Sequence, residues 1–473
     1  MAETTTSFKP TLSLFDSTMI VAGSMIGSGI FIVSADITRN VGSAGWLIAV
    51  WLITGFMTLT AALSYGELSA MYPKAGGQYV YLKEAFNPLI GFLYGWSFFA
   101  VIQTATIAAV GVAFSKYAGY FIPALDLADE NIILHIGAFK LYYAQLVSIG
   151  LIFFLTYINT KGVKTGKIIQ TIFTSAKLLA LFGLIIFGFF LVKESHWSEN
   201  WQTGLNAMQN TNADDHSAWS AISGIVLVGA IAASMSGSIF SSDAWNNVTF
   251  IAGEIKNPKR NIGLALFIGT LVVTIIYVLA NLMYLNVLPL HEIAFAKQDR
   301  VAAAVSNTLF GDGGAKVIAV LIMVSTFGCN NGLILAGARV YYTMAKDGLF
   351  FKQAGTLNKN AVPESALWAQ AVMASILCLS GKYNELLDMI AFVVVLFYAI
   401  TIIGIFRLRK TKPEMERPYK AFGYPVLPVI YIILAFTFCI FLIKLKPLYA
   451  GIGLGIVLLG IPLYFLAIAK KKV

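Results

Sequence analysis

Charge is scarce in this chain. Only 12% of its 473 residues are Asp, Glu, Lys or Arg, where a soluble domain carries about 25%, so an ordinary soluble globular protein is excluded. Cysteine is nearly absent: Cys329, Cys378 and Cys439 each lie in an apolar run, and no disulfide framework is implied. The few histidines, His135, His196, His216 and His291, fall in connectors or at the edges of apolar runs. No HExxH zinc helix occurs, and no nucleophile–base pair stands out. An intramembrane enzyme is therefore the least supported class, and we assign no catalytic residue, metal or cofactor. The first apolar run is too long for a cleavable leader, and no A-x-A-like site follows it. The alternating ten-residue runs of a membrane barrel are missing as well.

What the chain has is apolar length. Hydrophobic residues make up 58% of it, and the mean hydropathy is +0.77. Twelve runs of helical length start near residues 12, 45, 88, 141, 167, 219, 263, 315, 364, 384, 423 and 447. Roughly 20 apolar residues cross a bilayer as a helix. With the N-terminus inside, 22 of the 33 basic residues fall in inner connectors or tails, Lys161, Arg260, Arg339, Arg409 and Lys470 to Lys472 among them. The positive-inside rule then puts both termini in the cytoplasm and the chain in the cytoplasmic membrane. This accounts for the net charge of +10 without a nucleic-acid partner. The turn-rich stretch Tyr72-Pro73-Lys74-Ala75-Gly76-Gly77-Gln78-Tyr79 is expected at the cytoplasmic surface.

Two runs are irregular where a membrane helix should be most regular. The first holds Gly23-Ser24-Met25-Ile26-Gly27-Ser28-Gly29 at its middle. Glycine costs a helix about 1 kcal/mol relative to alanine, and a freed backbone group in lipid costs several more. The second holds Ser234-Met235-Ser236-Gly237-Ser238-Ile239-Phe240-Ser241-Ser242-Asp243-Ala244-Trp245-Asn246-Asn247. Close packing through small residues explains either one alone. Two of them five runs apart are the mark of an inverted repeat, runs 1–5 against 6–10, with a binding site between two broken helices.

Single polar residues inside the apolar runs add to this. Lys177 lies about ten residues from either end of run 5, too far for comfortable snorkelling, and such a lysine costs about 3 kcal/mol on insertion scales. It reads as a fixed cation replacing a bound Na⁺, a titrating group, or a structural lysine on backbone carbonyls. Asp243 reads as an acceptor for a substrate ammonium, a coupling proton site, or a cap for a second half-helix. Phe240 fits a core aromatic or a gate, and Tyr277 an interior hydrogen bonder.

The ordered set of motifs Met25-Ile26-Gly27-Ser28-Gly29-Ile30-Phe31, Tyr72-Pro73-Lys74-Ala75-Gly76-Gly77, Ile172-Phe173-Thr174-Ser175-Ala176-Lys177, Trp245-Asn246-Asn247, Asn257-Pro258-Lys259-Arg260-Asn261 and Lys412-Pro413-Glu414-Met415-Glu416-Arg417-Pro418-Tyr419 resembles the amino acid–polyamine–organocation (APC) transporters, and within them the L-type amino acid transporters. The resemblance implies an all-α integral membrane protein of twelve transmembrane helices, a LeuT-like 5+5 inverted repeat with helices 1 and 6 broken. It implies a substrate carboxylate at the freed amides of Ser28, Gly29 and Ile30, where half-helix amides suit an anion. It implies a substrate ammonium at carbonyls around Met25, Phe240 and Asp243. By the same resemblance Phe240 closes over the substrate, Asn246 lies near it, Lys177 takes the place of a sodium ion, and Tyr277 is its neighbour on helix 7. Two departures are visible: Asp243 stands where animal members carry glycine, and the outer connector between helices 3 and 4 holds no cysteine, so no disulfide-linked heavy subunit is expected.

The expected organisation is a cytoplasmic tail (1–11), a first repeat (12–192), an outer loop (193–218), a second repeat (219–410), and helices 11 and 12 with a basic C-terminus (411–473). The expected function is Na⁺-independent exchange of neutral L-amino acids by alternating access, with free amino acids and membrane lipid as partners. One rival is a proton-coupled or exchanging carrier of cationic amino acids or polyamines, on the strength of Asp243. Another is a receptor that binds an amino acid without moving it.

Overall fold

A computed structural model of the chain describes residues 10–127, 129–137, 139–212, 215–380 and 383–469. Residues 1–9 of the expected tail and Lys470, Lys471 and Lys472 of the basic C-terminus lie outside the described residues. In chain order the helices are α1 (Leu14–Met25), α2 (Val33–Val41), α3 (Ala44–Met71), α4 (Gln78–Ala85), α5 (Pro88–Ser97) and α6 (Gln103–Ala118). Then come α7 (Tyr143–Thr160), α8 (Val163–Phe190), α9 (Trp197–Gln202), α10 (Gly224–Ser241), α11 (Asn247–Phe250) and α12 (Pro258–Val287). The last are α13 (Leu290–Ala294), α14 (Val301–Lys346), α15 (Glu364–Ser380), α16 (Tyr383–Thr411), α17 (Val426–Leu445) and α18 (Pro447–Ala469). Among the described residues ten helices are long and apolar enough to cross a membrane, and Leu14–Met25 and Glu364–Leu379 are shorter apolar helices.

Local chemistry sets the helix ends. Ser13 and Asp16 form a capping box on α1, each side chain accepting from the other residue's backbone amide (3.2 and 2.9 Å). Ser43 caps α3, and Asn87 caps α5 ahead of Pro88 at the first helical position. A π-helical turn over Phe98–Ile102 joins α5 to α6. The chain departs from an all-α protein in two connectors: Ile132–Ile136 pairs with Phe139–Tyr142, and Met208–Asn210 with Trp219–Ala221, as antiparallel hairpins. Each is too short for hydropathy to register. Helix α14 begins earlier than its apolar run, because residues 301–310 form a further helical piece joined to it through a kink at Gly311, φ +69°.

Helix α8 shows how the bundle sorts its faces. Ile172, Leu179, Ile186 and Phe190 are exposed, as on a lipid-facing stripe, while Thr174, Lys177, Leu181 and Leu184 one face away are buried. Helix α1 packs on α12, α8 and α14, and α10 packs on α2, α3 and α16, so the two irregular stretches sit inside the bundle.

Buried ion pairs tie one face of the bundle. Leu12 and Ile255 form a short parallel bridge, with the amides of Thr11 and Leu12 donating to the Glu254 carbonyl (2.8 and 2.9 Å). The Glu254 carboxylate pairs with Arg339 at 3.0 Å, and neither side chain reaches solvent. Glu67 accepts from Arg409 at 3.0 and 2.7 Å and from the Ala421 amide at 2.7 Å. Arg339 and Arg409 are thus helix residues with buried carboxylate partners, where the sequence pattern placed them in connectors. Beside them Lys412 donates to Glu84 at 2.9 Å, which holds its ammonium above the usual lysine range.

Candidate functional site

The first break spans residues 26–32, between α1 and α2, with one 3₁₀ turn at Gly29–Phe31 inside it. An interrupted helix leaves carbonyls without helical donors, and in an apolar bundle each must find another. Here side chains from four other helices supply them. Lys177 of α8 donates to the carbonyls of Gly23 and Ile26, the latter at 2.6 Å. From α14, the Cys329 thiol reaches the Ser24 carbonyl at 3.2 Å and Ser325 the Ile26 carbonyl at 3.4 Å. From α12, Tyr277 donates to the Met25 carbonyl at 3.0 Å and Tyr284 to the Ile30 carbonyl at 3.2 Å. From α6, Tyr117 reaches the Phe31 carbonyl at 3.2 Å. Lys177 is 1% exposed.

The second break spans residues 242–246, between α10 and α11. Ala244 turns the chain there with φ +62°, a conformation that costs a non-glycine residue and persists only where the surroundings fix it. Ser234 to Ser241, polar as they are, stay helical because their side chains face inward; Ser234, Ser238 and Ser241 bond to carbonyls of their own helix. Asp243 does not cap α11: its carboxylate accepts from the Tyr398 hydroxyl at 2.5 Å, and Asn246 holds the cap position. The Asn246 side-chain amide donates to Gln78 at 3.0 Å, and Gln78 in turn donates to Thr401 at 3.0 Å.

The two breaks touch. The Tyr277 hydroxyl reaches both the Met25 and Ser241 carbonyls, at 3.0 and 2.9 Å. A Cβ on Gly29 would lie 1.9 Å from Ser241 Oγ and 3.0 Å from Ser241 Cα, so only glycine allows this approach. Met25, Ser28, Gly29, Ile30, Phe240, Asp243, Asn246, Lys177 and Tyr277 are all buried in this one region. Met25 offers a carbonyl already engaged by Tyr277, and the Asn246 side chain faces Gln78 rather than the first break.

A polar cavity behind the second break is lined by Gln78, Tyr94, Gln103, Asp243, Asn246 and Tyr398. Gln78, Tyr94, Gln103 and Tyr398 escaped the sequence reading; the signal for Gln103 and Tyr398 is a polar group in the middle of an apolar run. Val394 lines the same cavity, whereas Phe327 stacks on Phe173 at 4.8 Å in a lateral apolar crevice. Among the described residues no three His, Cys, Asp or Glu side chains gather to hold a metal ion.

Known proteins are similar to this chain over most of its length. The family model described as amino acid permease matches residues 12–462. The human large neutral amino acids transporter small subunit 2 is 29% identical over 467 residues, covering 98% of this chain and 81% of the relative. The mouse Asc-type amino acid transporter 1 is 29% identical over 463 residues, covering 98% of this chain and 82% of the relative. The human b(0,+)-type amino acid transporter 1 is 29% identical over 475 residues, covering 99% and 90%.

Proposed function

Since the chain belongs to the amino acid permease family, we propose that it exchanges neutral L-amino acids across the cytoplasmic membrane, without Na⁺, by alternating access at the two touching breaks. It is a multi-pass membrane protein and a transporter rather than an enzyme. The observation that carries the proposal is the pair of breaks bridged by Tyr277, with Lys177 buried against the first.

In this reading the two shorter apolar helices complete, with the ten longer ones, a twelve-span chain whose N-terminus is cytoplasmic. The repeats are 12–192 and 219–410, each opening with a broken helix. The amides at the start of the Gly29–Phe31 turn receive the substrate carboxylate at Ser28, Gly29 and Ile30, as a helix N-terminus suits an anion. The ammonium meets carbonyls near Met25 and Phe240, and Phe240 closes above it. Lys177 supplies a tethered ammonium where a bound Na⁺ would otherwise hold the first break, which removes the need for sodium. The relative named a small subunit is by that name part of an assembly. All three cysteines of this chain are buried, so we place no disulfide-linked subunit on it.

Asp243 favours a second reading, transport of cationic amino acids or diamines, because its carboxylate lines a polar cavity beside the breaks. Counterflow in Na⁺-free proteoliposomes decides between the two. Accumulation of a labelled neutral amino acid driven only by internal neutral amino acids supports the first reading. Accumulation driven by internal cationic ones moves the assignment to the second. Binding with no counterflow would leave a receptor, and a strict need for Na⁺ would remove the role given to Lys177.

A further inference from the structure

A second polar cavity opens on the face opposite the Leu12–Ile255 bridge, the outer face in the proposed topology. It is lined by Asp36 of α2, Ser236 of α10, Asp299 at the end of the Lys297–Asp299 turn, Asp388 of α16 and Lys446 between α17 and α18. Its carboxylates are unequally paired. Asp388 pairs with Lys446 at 3.0 Å, and Asp299 pairs with Arg39 at 2.8 Å. Asp36 is left with the same Arg39 at 3.6 Å and a 3.3 Å bond from Asn40, and its side chain keeps 45% of its exposure. Among the described residues that line the cavity, Asp36 is thus the carboxylate with the weakest cation partner. Ser236, 3% exposed, also lines the cavity, and its hydroxyl has no hydrogen-bond partner among the described residues. A buried unpaired hydroxyl is costly, so this one is disposed to meet a ligand.

The floor of the cavity is the contact of Val33 with Gly237, where an added Cβ would lie 2.9 Å from the valine Cβ. Phe240 follows Gly237 by three residues, one helical turn deeper. The cavity therefore lies about one helical turn along α10 from Phe240 of the candidate site.

We propose that this cavity is an outer subsite for the primary ammonium group of the arriving amino acid, held by Asp36 and Ser236 until the Val33–Gly237 contact parts. An ammonium offers Asp36 a closer cation than Arg39 at 3.6 Å and carries three donors, enough for a carboxylate, a hydroxyl and a second carboxylate. The inference rests on the transport reading above, and wild-type counterflow is its reference.

The test measures KM from each side, in whole cells for the outer face and in inside-out vesicles for the inner face. Asp36→Asn should raise the outer KM about tenfold, the loss of one charge-assisted hydrogen bond, and leave the inner KM unchanged. Ser236→Ala should move the outer KM in the same direction by less. External methylammonium should compete with uptake by wild type and lose that effect in Asp36→Asn, while K⁺ at equal ionic strength should not compete. Unchanged outer KM in both variants, an equal rise on both faces, or competition by K⁺ as strong as by methylammonium would each overturn the subsite alone. A wild type that moves no amino acid would overturn the transport reading with it.

Discussion

The two breaks solve the same backbone problem in different ways. In the first, carbonyls from Gly23 to Phe31 are taken up by side chains of α6, α8, α12 and α14. Those donors are long, buried and drawn from several helices, so the first break cannot shift without losing bonds that lipid will not replace. In the second, the principal contacts join side chains: Asp243 to Tyr398 and Asn246 to Gln78. These can exchange partners with a small polar group entering the adjoining cavity without the loss of a backbone hydrogen bond. A fixed break suits the invariant part of an amino acid, its carboxylate and ammonium, and an exchangeable one suits the side chain that varies.

The contrast breaks most severely at Gly29. Gly29→Ala would push a methyl against Ser241 Oγ and approach the Ser241 backbone, and overpacking of this kind costs about 1–3 kcal/mol or more. Transport should be abolished, and thermal unfolding in detergent should move to lower temperature. Normal counterflow by the alanine variant would mean that the two breaks do not need their present contact.

Lys177→Met comes next. It keeps the apolar stem but strips the Gly23 and Ile26 carbonyls of their charged donor, at a cost of about 1–3 kcal/mol for each carbonyl left unpaired. Counterflow should fall at least tenfold, neutral and cationic substrates alike, because the loss is in the frame rather than in the selective part. A loss confined to one substrate class would place Lys177 in the exchangeable half of the comparison. Tyr277→Phe should act in the same uniform way and more weakly, since a single hydroxyl is shared between the Met25 and Ser241 carbonyls; rates measured on both classes check it.

How much of this was legible follows the same division. The breaks could be read because glycine and serine strings in a membrane run violate a strong rule, and Lys177 because a charge there is expensive. What completes the site could not. Gln78 and Tyr398 lie 320 positions apart in sequence yet line one cavity beside Asp243, and only tertiary packing brings them together. Arg339 and Arg409 were misplaced for a related reason, since hydropathy registers a charge but not the carboxylate that neutralises it. The outer cavity shows this most plainly: Asp36, Asp299 and Asp388 are three isolated residues until α2, the Lys297–Asp299 turn and α16 meet.

The smallest expected effect on overall rate belongs to the second break, and it is the most informative about what is carried. Tyr398→Phe removes the hydroxyl that donates to Asp243 and leaves the carboxylate facing the cavity without that donor. A hydrogen bond to a charged group contributes about 1.5–3 kcal/mol, enough to change a preference roughly tenfold or more. Neutral exchange should stay within about threefold of wild type, within what loss of an ordinary hydrogen bond allows, while internal cationic amino acids should drive counterflow better than before. Asp243→Asn should reverse that gain in the double variant, because the amide no longer attracts an ammonium. If instead Tyr398→Phe depresses all substrates equally, the Tyr398–Asp243 bond is part of the frame. The second break would then be as fixed as the first, and the division of labour between them would have to be given up.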